Sequence, residues 1–323
     1  MKLGILGCGH IVDVVAPALM QLEALERYAT ASRSLEKARD CAQKYGFQKA
    51  YGSYEEMLRD PEVELVYIAT PHSHHYEQML LCLEHGKHVI CEKAFTMNAA
   101  QARKVLTLAA EKGLYAAEAI WTRYMPSRKL IQDTIDSGII GKVNTLTASL
   151  SYPVSHKQRI MDPALAGGAL LDLGVYGLNF ALMHFGDDID RIESSVRLTD
   201  TGVDAMETIT LFYKDGRMAV LTHSIYCRSD RKGIIHGDKG YLIVENINNP
   251  QSVSVYDLKD QLVAHHPVPP QINGYEYEFS EAIRCIREVK TQPDSMPHSE
   301  TIKVIELMDT LRRRWGVVYP QEK

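Results

Sequence analysis

Three segments of this chain carry side chains that could move protons or hold a polar ligand. Segment 70–75 contains three histidines, segment 89–93 ends in a glutamate and a lysine, and segment 167–176 contains Asp172 and Tyr176. Histidine, carboxylate, lysine and tyrosine side chains serve as general acids and bases. If 167–176 is helical, Asp172 and Tyr176 share one helix face, because they are four residues apart.

The first two of these segments each follow an apolar stretch that predicts a buried strand. Strands that are apolar throughout and alternate with helices indicate a parallel sheet covered on both faces. Ligands bind such sheets beyond the carboxyl ends of the strands, which is where both segments fall. The predicted strands are 3–6, 28–32, 63–69 and 87–91, and the predicted helices begin near 11 and cover 35–45, 53–60, 76–84 and 98–112.

A glycine-rich turn lies between the first strand and the first helix. Gly7 and Gly9 flank one cysteine, and His10 and Ile11 follow, while Val12 stands where a third glycine is common. Glycines at this position allow a tight turn and the close approach of a pyrophosphate to the helix N-terminus. The position after a strand and before a helix indicates a dinucleotide site, with a glycine turn that binds no ligand as the alternative.

The end of the second strand indicates which dinucleotide is bound. Ser32 and Arg33 stand there, and no carboxylate is available to accept hydrogen bonds from an adenosine ribose. A guanidinium pairs with a 2′-phosphate, which a carboxylate would repel. The sequence therefore favours NADP over NAD, and a solvated charge at a helix start is the alternative interpretation of Arg33.

The pattern changes after Pro126, where longer segments with period-two alternation follow a helix and are joined by tight turns. This predicts an α+β domain with a large, mostly antiparallel open sheet, closed by helices at 276–289 and 299–315. We expect a doubly wound α/β domain over residues 1–120 and a substrate-binding and oligomerisation domain over 121–323. The predicted strands are 143–152, 193–198, 207–213, 217–226, 233–236, 241–244 and 252–258.

Composition excludes several classes of protein. The chain has 323 residues, 36 basic and 41 acidic side chains and a formal net charge of −5, which gives no basic footprint for nucleic acid. No run of about 18 uncharged apolar residues predicts a membrane span, and the first residues do not have the pattern of a leader peptide. Six scattered cysteines suit a reducing compartment, so we expect a cytoplasmic protein.

One spacing has the form of a metal site. Cys82, His85, His88 and Cys91 fall at intervals of three residues. The predicted elements place Cys82 on a helix and Cys91 on the following strand, however, and this favours no metal site over a zinc site.

These motifs together resemble the glucose–fructose oxidoreductase and inositol dehydrogenase family along essentially the whole chain. Within that family, the chain is most similar to the branch of dimeric dihydrodiol dehydrogenases and NADP-dependent D-xylose dehydrogenases. The resemblance implies an N-terminal Rossmann domain and hydride transfer between NADP and a secondary alcohol or carbonyl of a sugar or cyclic diol. It rests on the glycine turn and on 70–71, 86–89, 91–93, 118–123, 168–172, 176 and 314–320, together with His72, His75 and 81–83.

The resemblance also implies roles for individual residues. Lys93 and Tyr176 would act as an acid/base pair at the reacting oxygen, since a nearby ammonium favours the phenolate of a tyrosine. Asp172 would hold a second substrate hydroxyl or orient Lys93. Trp121 and Arg123 would line the substrate pocket.

The remaining implied residues surround the cofactor. His72 and His75 would lie near the nicotinamide ribose, and Thr70 and Glu92 belong to the cofactor-binding motifs. In the family, proline usually follows the lysine, and here Ala94 replaces it. Because proline fixes the backbone, this substitution puts the rigidity of Lys93 in question.

Two other functions remain open at this point: a non-catalytic NADP-binding regulator, and a glycosidase that works through transient oxidation. Retention of both Lys93 and Tyr176 argues against the regulator. Since family members commonly pair through the open face of the antiparallel sheet, we expect a homodimer or higher homo-oligomer that acts on a small-molecule polyol. Neither a membrane nor a nucleic acid is expected as a partner.

Overall fold

The computed structural model describes residues 1–322, which form two compact units. The first unit contains Met1–Tyr124 and Gln271–Glu306, and the second contains Met125–Pro270 and the C-terminal stretch from Leu307. The predicted division at residue 120 differs from this arrangement, because it assigned the whole C-terminal part of the chain to the second domain.

Aromatic and backbone contacts explain why 271–306 returns to the first unit. The Phe279 ring packs edge-on against Tyr67 with ring centroids 5.2 Å apart, and Tyr275 stacks on Trp121 at 4.2 Å. The backbone of Ala116 donates a hydrogen bond to the carbonyl of residue 291. These contacts cover one face of the first sheet, and a helical periodicity in sequence cannot say which sheet a helix will cover.

The first unit is built on a six-stranded, wholly parallel sheet with the order β3-β2-β1-β4-β5-β6. This confirms the predicted doubly wound α/β architecture. The two central strands β1 and β4 are almost entirely buried, as expected of strands covered on both faces. The strands are β1 Lys2–Leu6, β2 Glu26–Ala31, β3 Lys49–Tyr51, β4 Leu65–Ile68, β5 His88–Glu92 and β6 Ala116–Ala119.

The second unit contains an eight-stranded sheet with the order β14-β13-β12-β11-β7-β10-β9-β8. All neighbours pair antiparallel except β10 and β7, which confirms the mostly antiparallel sheet. Along β7, Leu146, Ala148 and Leu150 are buried and alternate with half-exposed residues, so one face of the sheet is open. The strands are β7 Val143–Ser151, β8 Ile189–Leu198, β9 Asp204–Tyr213, β10 Met218–Ser224, β11 Gly233–Gly237, β12 Gly240–Val244, β13 Ser252–Asp257 and β14 Leu262–Pro267.

Side-chain caps begin several helices where the sequence predicts them. Asn98 accepts a hydrogen bond from the Gln101 amide at 3.0 Å, and Ser53 accepts one from Glu56 at 3.1 Å. The α-helices are α1 His10–Gln21, α2 Leu35–Tyr45, α3 Tyr54–Leu58, α4 His72–Glu84, α5 Ala99–Glu111, α6 Pro126–Asp136, α7 Gln158–Met161, α8 Val175–Phe185, α9 Glu276–Arg287 and α10 His298–Trp315.

Shorter helical turns complete the set of elements. Leu170–Gly174 form one turn of π-helix that runs directly into α8, and we call it the π-turn. Single 3-10 turns cover Trp121–Arg123, Pro163–Leu165 and Pro320–Glu322.

The helical run 163–185 is long and apolar enough to cross a membrane, with a mean hydropathy of 1.4. Within the fold, 94% of the most apolar 18-residue stretch of this run is buried. Burial of this kind is typical of a core helix, and α8 packs against β7 and β10 of the second unit.

Candidate active site

The glycine turn after β1 has the geometry of a phosphate cradle. Gly7 adopts φ +93°, and a Cβ there would lie 2.9 Å from the Ala69 carbonyl oxygen, so only glycine fits. Gly9 is the N-cap of α1, and no side chain caps the helix there. No capping side chain therefore competes with an anion for the amide groups at the start of the helix, although the Val12 amide already donates to the Gly9 carbonyl at 3.0 Å.

The other residues of this turn divide between solvent and core. His10 is exposed and Ile11 is half-buried at the start of α1. Val12, which replaces the third glycine of the motif, is only 1% exposed and faces the core. The substitution therefore leaves the phosphate side of the turn unchanged.

Arg33 lies just after β2, where the sequence predicts the adenosine end of a dinucleotide. The β2 strand ends at Ala31, the Ser32 hydroxyl accepts a weak hydrogen bond from the Ser34 amide at 3.4 Å, and Arg33 is exposed. Burial lowers the pKa of His74, and the charge of Arg33 lowers it further, which indicates that the guanidinium lies near this imidazole. An exposed guanidinium at this position fits a 2′-phosphate.

His75 connects the segment after β4 to the backbone beside Lys93. Its Nδ1 lies 2.8 Å from the carbonyl oxygen of Ala94, and its Nε2 lies 2.8 Å from that of Thr70. Burial lowers the pKa of His75 to about 4, so the ring is neutral at pH 7 and donates to one carbonyl at a time. His75 therefore contacts two backbone segments and holds one of them at a time by a hydrogen bond, and its predicted place near a ribose stays a prediction.

The backbone beside Lys93 is held in place although Ala94 replaces the expected proline. The Lys93–Ala94 peptide bond is cis, and Ala94 is fully buried. Next to it, the Phe95 amide donates to Glu118 at 3.2 Å. The hydrogen bond from Phe95 to Glu118 and the contact of His75 with the Ala94 carbonyl together restrain the segment that carries Lys93.

His72 and Thr70 lie close to His75. His72 is the first residue of α4, is buried, and packs edge-on against His75 with ring centroids 5.8 Å apart. The Thr70 hydroxyl donates to the Gln78 side chain at 2.6 Å. The helix begins four residues before its predicted start, because Pro71 is the N-cap and the polar histidines interrupt the apolar periodicity that the prediction used.

Acidic side chains are buried around Glu92, the residue that precedes Lys93. Glu92 accepts a hydrogen bond from the Tyr67 hydroxyl. Burial raises the pKa of Glu118 to about 7, and burial together with the nearby Glu92 raises the pKa of Glu278 well above its usual range. The structure therefore gives Glu92 a partner inside the sheet, besides its predicted part in cofactor binding.

Two residues predicted to line the substrate pocket have partners within the first unit. Trp121 stacks on Tyr275, and the Arg123 guanidinium, only 2% exposed, lies 3.3 Å from a Glu300 carboxylate oxygen. Both lie in the 3-10 turn after β6. The buried ion pair gives Arg123 a structural function, which its residue type alone does not reveal.

The second unit carries Asp172 on the π-turn and Tyr176 on the first turn of α8, and both side chains are buried. The prediction of one regular helix missed the π-turn, in which five residues rather than four separate the hydrogen-bonded groups.

Arg159 contacts Asp172, although the sequence analysis did not single it out. Its Nη1 donates to the Asp172 carboxylate at 3.0 Å from helix α7, which precedes the π-turn. Only its place among the charged residues of segment 151–165 marks it in the sequence, because tertiary packing sets the direction of its side chain. The pair can hold the hydroxyl groups of a polyol through one donor and one acceptor.

The four residues with metal-like spacing lie on different elements. Cys82 is on α4 and Cys91 is on β5, and burial raises the pKa of both thiols. Among residues 1–322, the one group of three candidate ligand atoms within 4.8 Å of one another is formed by Glu281, Cys285 and Asp294.

The Asp294 carboxylate of that group already pairs with two basic side chains. Arg284 and Lys290 pair with the Asp294 carboxylate at 2.8 and 2.9 Å. Their charges compete with the attraction that a cation would need.

Family models match both parts of the chain. Residues 1–119 match an oxidoreductase family with an NAD-binding Rossmann fold, GFO/IDH/MocA, and residues 129–243 match the GFO/IDH/MocA C-terminal domain.

Similar proteins extend the match to full length. The chain is 34% identical to trans-1,2-dihydrobenzene-1,2-diol dehydrogenase from Macaca fascicularis and 33% identical to that from Homo sapiens, over 100% of this chain and 99% of each relative. A 3-ketoreductase from Actinomadura kijaniata, solved with NADP and TDP-benzene, superposes with a TM-score of 0.88 at 25% identity, covering 97% of each chain. An aldose-aldose oxidoreductase from Caulobacter crescentus has the same fold, with a TM-score of 0.88 at 20% identity over 98% of this chain and 97% of that chain.

Proposed function

Since the chain belongs to the GFO/IDH/MocA family of NAD-binding oxidoreductases, we propose that it transfers a hydride between NADP and a secondary alcohol or carbonyl of a sugar or cyclic diol. It is an NAD(P)-dependent dehydrogenase that acts on CH–OH groups. The observation that carries the choice of substrate class is the full-length similarity to dihydrodiol dehydrogenases.

The first unit offers a binding site that fits NADP. The amides at the start of α1 would hold the pyrophosphate beside Gly7 and Gly9, and Ser32 and Arg33 would hold the 2′-phosphate. The bound nicotinamide supplies the hydride acceptor or donor. Thr70, His72, His75 and Glu92 line or support this region in the proposal, in which His75 acts through the backbone carbonyls that it contacts.

In this proposal, Lys93 and Tyr176 form the acid/base pair that transfers the proton of the substrate hydroxyl. Tyr176 takes the hydroxyl proton as a carbinol is oxidised, and the Lys93 ammonium favours the phenolate form that does so. Asp172, held by Arg159, binds a second hydroxyl of the substrate and orients it. In reduction, the same tyrosine returns the proton to the new alkoxide.

Turnover of a substrate panel tests the proposal. The purified protein is incubated with NADP and aldoses, inositols or trans-diols, and NADPH is followed by its absorbance. We expect turnover with at least one polyol, and a loss of roughly 10²- to 10⁴-fold in kcat for Lys93→Met and Tyr176→Phe.

The controls are Lys104→Met and Tyr226→Phe, which remove the same groups at exposed positions. If no polyol yields NADPH and both variants bind NADP as the wild type does, a non-catalytic regulator becomes the better interpretation. Cleavage of a glycoside without net NADPH would instead indicate the glycosidase.

The assembly and compartment are also proposals. We propose a homodimer that pairs through the open face of the eight-stranded sheet, on which the outward residues of β7, Thr145, Thr147 and Ser149, are half-exposed. A monomeric mass by light scattering would contradict it. All six cysteines are unpaired, which favours a cytoplasmic location that cell fractionation can test.

A further inference from the structure

Three ionisable side chains lie buried beneath the π-turn. Asp204 and Glu207 come from β9 and His223 comes from β10, and each is no more than 3% exposed. The proposed chemistry uses none of them. Ionisable groups are rarely placed in a core without a function or a partner.

The cluster touches the π-turn directly. The Leu170 amide donates to Asp204 at 2.5 Å. Gly168 adopts φ +113°, and a Cβ there would lie 2.3 Å from an Asp204 oxygen, while a Cβ at Gly177 would lie 2.3 Å from His223 Nε2. These glycines, one before the π-turn and one in α8, therefore allow the backbone on either side of the turn to lie directly against the buried side chains.

A second contact comes from the C-terminal segment, whose motif 314–320 has no function in the proposed chemistry. The Tyr319 hydroxyl donates to the Gly167 carbonyl at 2.8 Å. The Arg312 guanidinium lies 4.6 Å from the Tyr319 ring centre and pairs with Glu322 at 2.8 Å, which fixes the tyrosine. The backbone that leads into the π-turn is thus held at residue 167 and at residue 170.

We propose that Asp204 and Tyr319 are positioning residues, which hold the π-turn through Leu170 and Gly167 so that Asp172 and Tyr176 keep the orientation that the reaction needs. This inference rests on the proposed function. A shift of about 1 Å in a catalytic group costs roughly 100-fold in rate, so two hydrogen bonds at the base of the turn are enough to control activity.

The protonation of the cluster matters for the same reason. Burial raises the pKa of Glu207 to about 8 and that of Asp204 well above its usual range, and it lowers the pKa of His223 to about 3. Glu207 and His223 are therefore neutral at pH 7. The ionisable side chains that face Glu207 are Asp204, His223 and Tyr319, so its ionisation at alkaline pH would place one uncompensated charge under the turn.

Two substitutions test the contacts. Tyr319→Phe removes one hydroxyl, and Asp204→Ala removes the acceptor of the Leu170 amide. We expect kcat to fall by roughly 10- to 100-fold in each, with KM for NADP within twofold of wild type, since these residues lie outside the nucleotide-binding unit. Asp204→Asn keeps an oxygen acceptor and should recover most of the activity.

The matched control is Tyr213→Phe. Tyr213 is a buried tyrosine on β9, and its hydroxyl has no hydrogen-bond partner within residues 1–322. This variant should keep wild-type kcat.

Hydrogen–deuterium exchange gives a readout that does not depend on turnover. The amides of 168–176 should exchange faster in Tyr319→Phe and Asp204→Ala while the strands of the six-stranded sheet remain protected as in the wild type. If wild type turns over no polyol, the proposed function fails while exchange still decides the positioning inference.

The pH profile is the third readout. The wild type should lose kcat above about pH 8, and Glu207→Gln should flatten that loss. The inference is overturned if Tyr319→Phe and Asp204→Ala keep kcat and exchange at wild-type values. It is also overturned if exchange rises throughout the chain, or if Asp204→Asn is as impaired as Asp204→Ala.

Discussion

Arg159 joins helix α7 to the π-turn through a charged contact with Asp172. The Asp172 side chain is 6% exposed and that of Arg159 is 41% exposed, so the guanidinium covers a carboxylate that would otherwise be buried without this partner. A charge-assisted hydrogen bond of this kind is worth more than a neutral one.

Removing that contact should weaken the reaction. We expect Arg159→Ala to lower kcat/KM for the polyol by roughly tenfold and to leave KM for NADP unchanged. His156→Ala, at an exposed position in the turn before α7, is the control. Steady-state kinetics with both substrates make the comparison, and equal effects of the two variants would exclude the pairing as a source of substrate affinity.

Arg33 should decide between the two dinucleotides. Arg33→Ala is expected to raise KM for NADP by roughly 10- to 100-fold and to change KM for NAD by less than about twofold, because only NADP carries the 2′-phosphate. Arg39→Ala on the exposed face of α2 is the control. Equal losses for both cofactors would contradict the assignment of Arg33 to the phosphate.

Residue types identify part of the site but not the use of each side chain. Lys93 stands out in sequence because it follows a strand that the alternation predicts, and Asp172 and Tyr176 stand out because they are four residues apart in a predicted helix; all three remain proposals as catalytic residues. Arg159 and Asp204 do not stand out, because their contacts with the π-turn depend on how α7 and β9 pack against it.

Helices and strands whose buried residues form a clear apolar pattern are predicted well. Short or polar helices and strands are not. The helix α2 has its predicted bounds, since capping residues and periodicity agree. The three-residue β3, the alanine-rich β6 and the exposed edge strand β14 were missed, because too few side chains in them carry a strand pattern. The π-turn has no periodic signature and depends on the tertiary support beneath it.

The close packing of α8 on β10 predicts a measurable cost for one methyl group. Gly177→Ala places a Cβ 2.3 Å from His223 Nε2, and we expect a loss of about 1–3 kcal/mol in the free energy of unfolding. In a His223→Ala background the same change should cost nothing or stabilise, because alanine favours a helix. Urea unfolding of the four proteins in this cycle measures the coupling, and a cost that persists without the imidazole would exclude the clash.

For the whole molecule, buried carboxyl groups make stability depend on pH. The pKa of Glu118, raised to about 7, lies above the unfolded value of 4.5, so the folded chain holds a proton that the unfolded chain releases. This contribution to stability is fully present below pH 4.5 and is lost as pH rises through 7. Between pH 5 and 8 the loss from this group is roughly 2–3 kcal/mol.

Glu118→Gln should remove that dependence, because the amide oxygen still accepts from Phe95 and carries no titrating proton. Thermal midpoints of the variant should decline less than those of wild type between pH 5 and 8. Glu111→Gln, at an exposed position on α5, should follow wild type. Parallel curves for wild type and Glu118→Gln would mean that Glu118 titrates at an ordinary pKa.

At the scale of the whole molecule, the sequence predicts the parallel and the mostly antiparallel sheet. It does not predict that 271–306 belongs to the first unit. Alternation of apolar strands with helices indicated the parallel sheet, and period-two segments with tight turns indicated the other. The return of 271–306 to the first unit depends on which surface accepts Tyr275 and Phe279, and that is a property of the folded sheet.

This return has a consequence for the order of events during synthesis. All six strands of the nucleotide-binding sheet have left the ribosome once residue 119 emerges, yet the ring that packs on Tyr67 belongs to Phe279. The first unit to be translated is therefore completed only after almost all of the second has been made. Until then its sheet exposes an apolar face, and the nascent chain depends on shielding of that face for longer than its N-terminal position suggests.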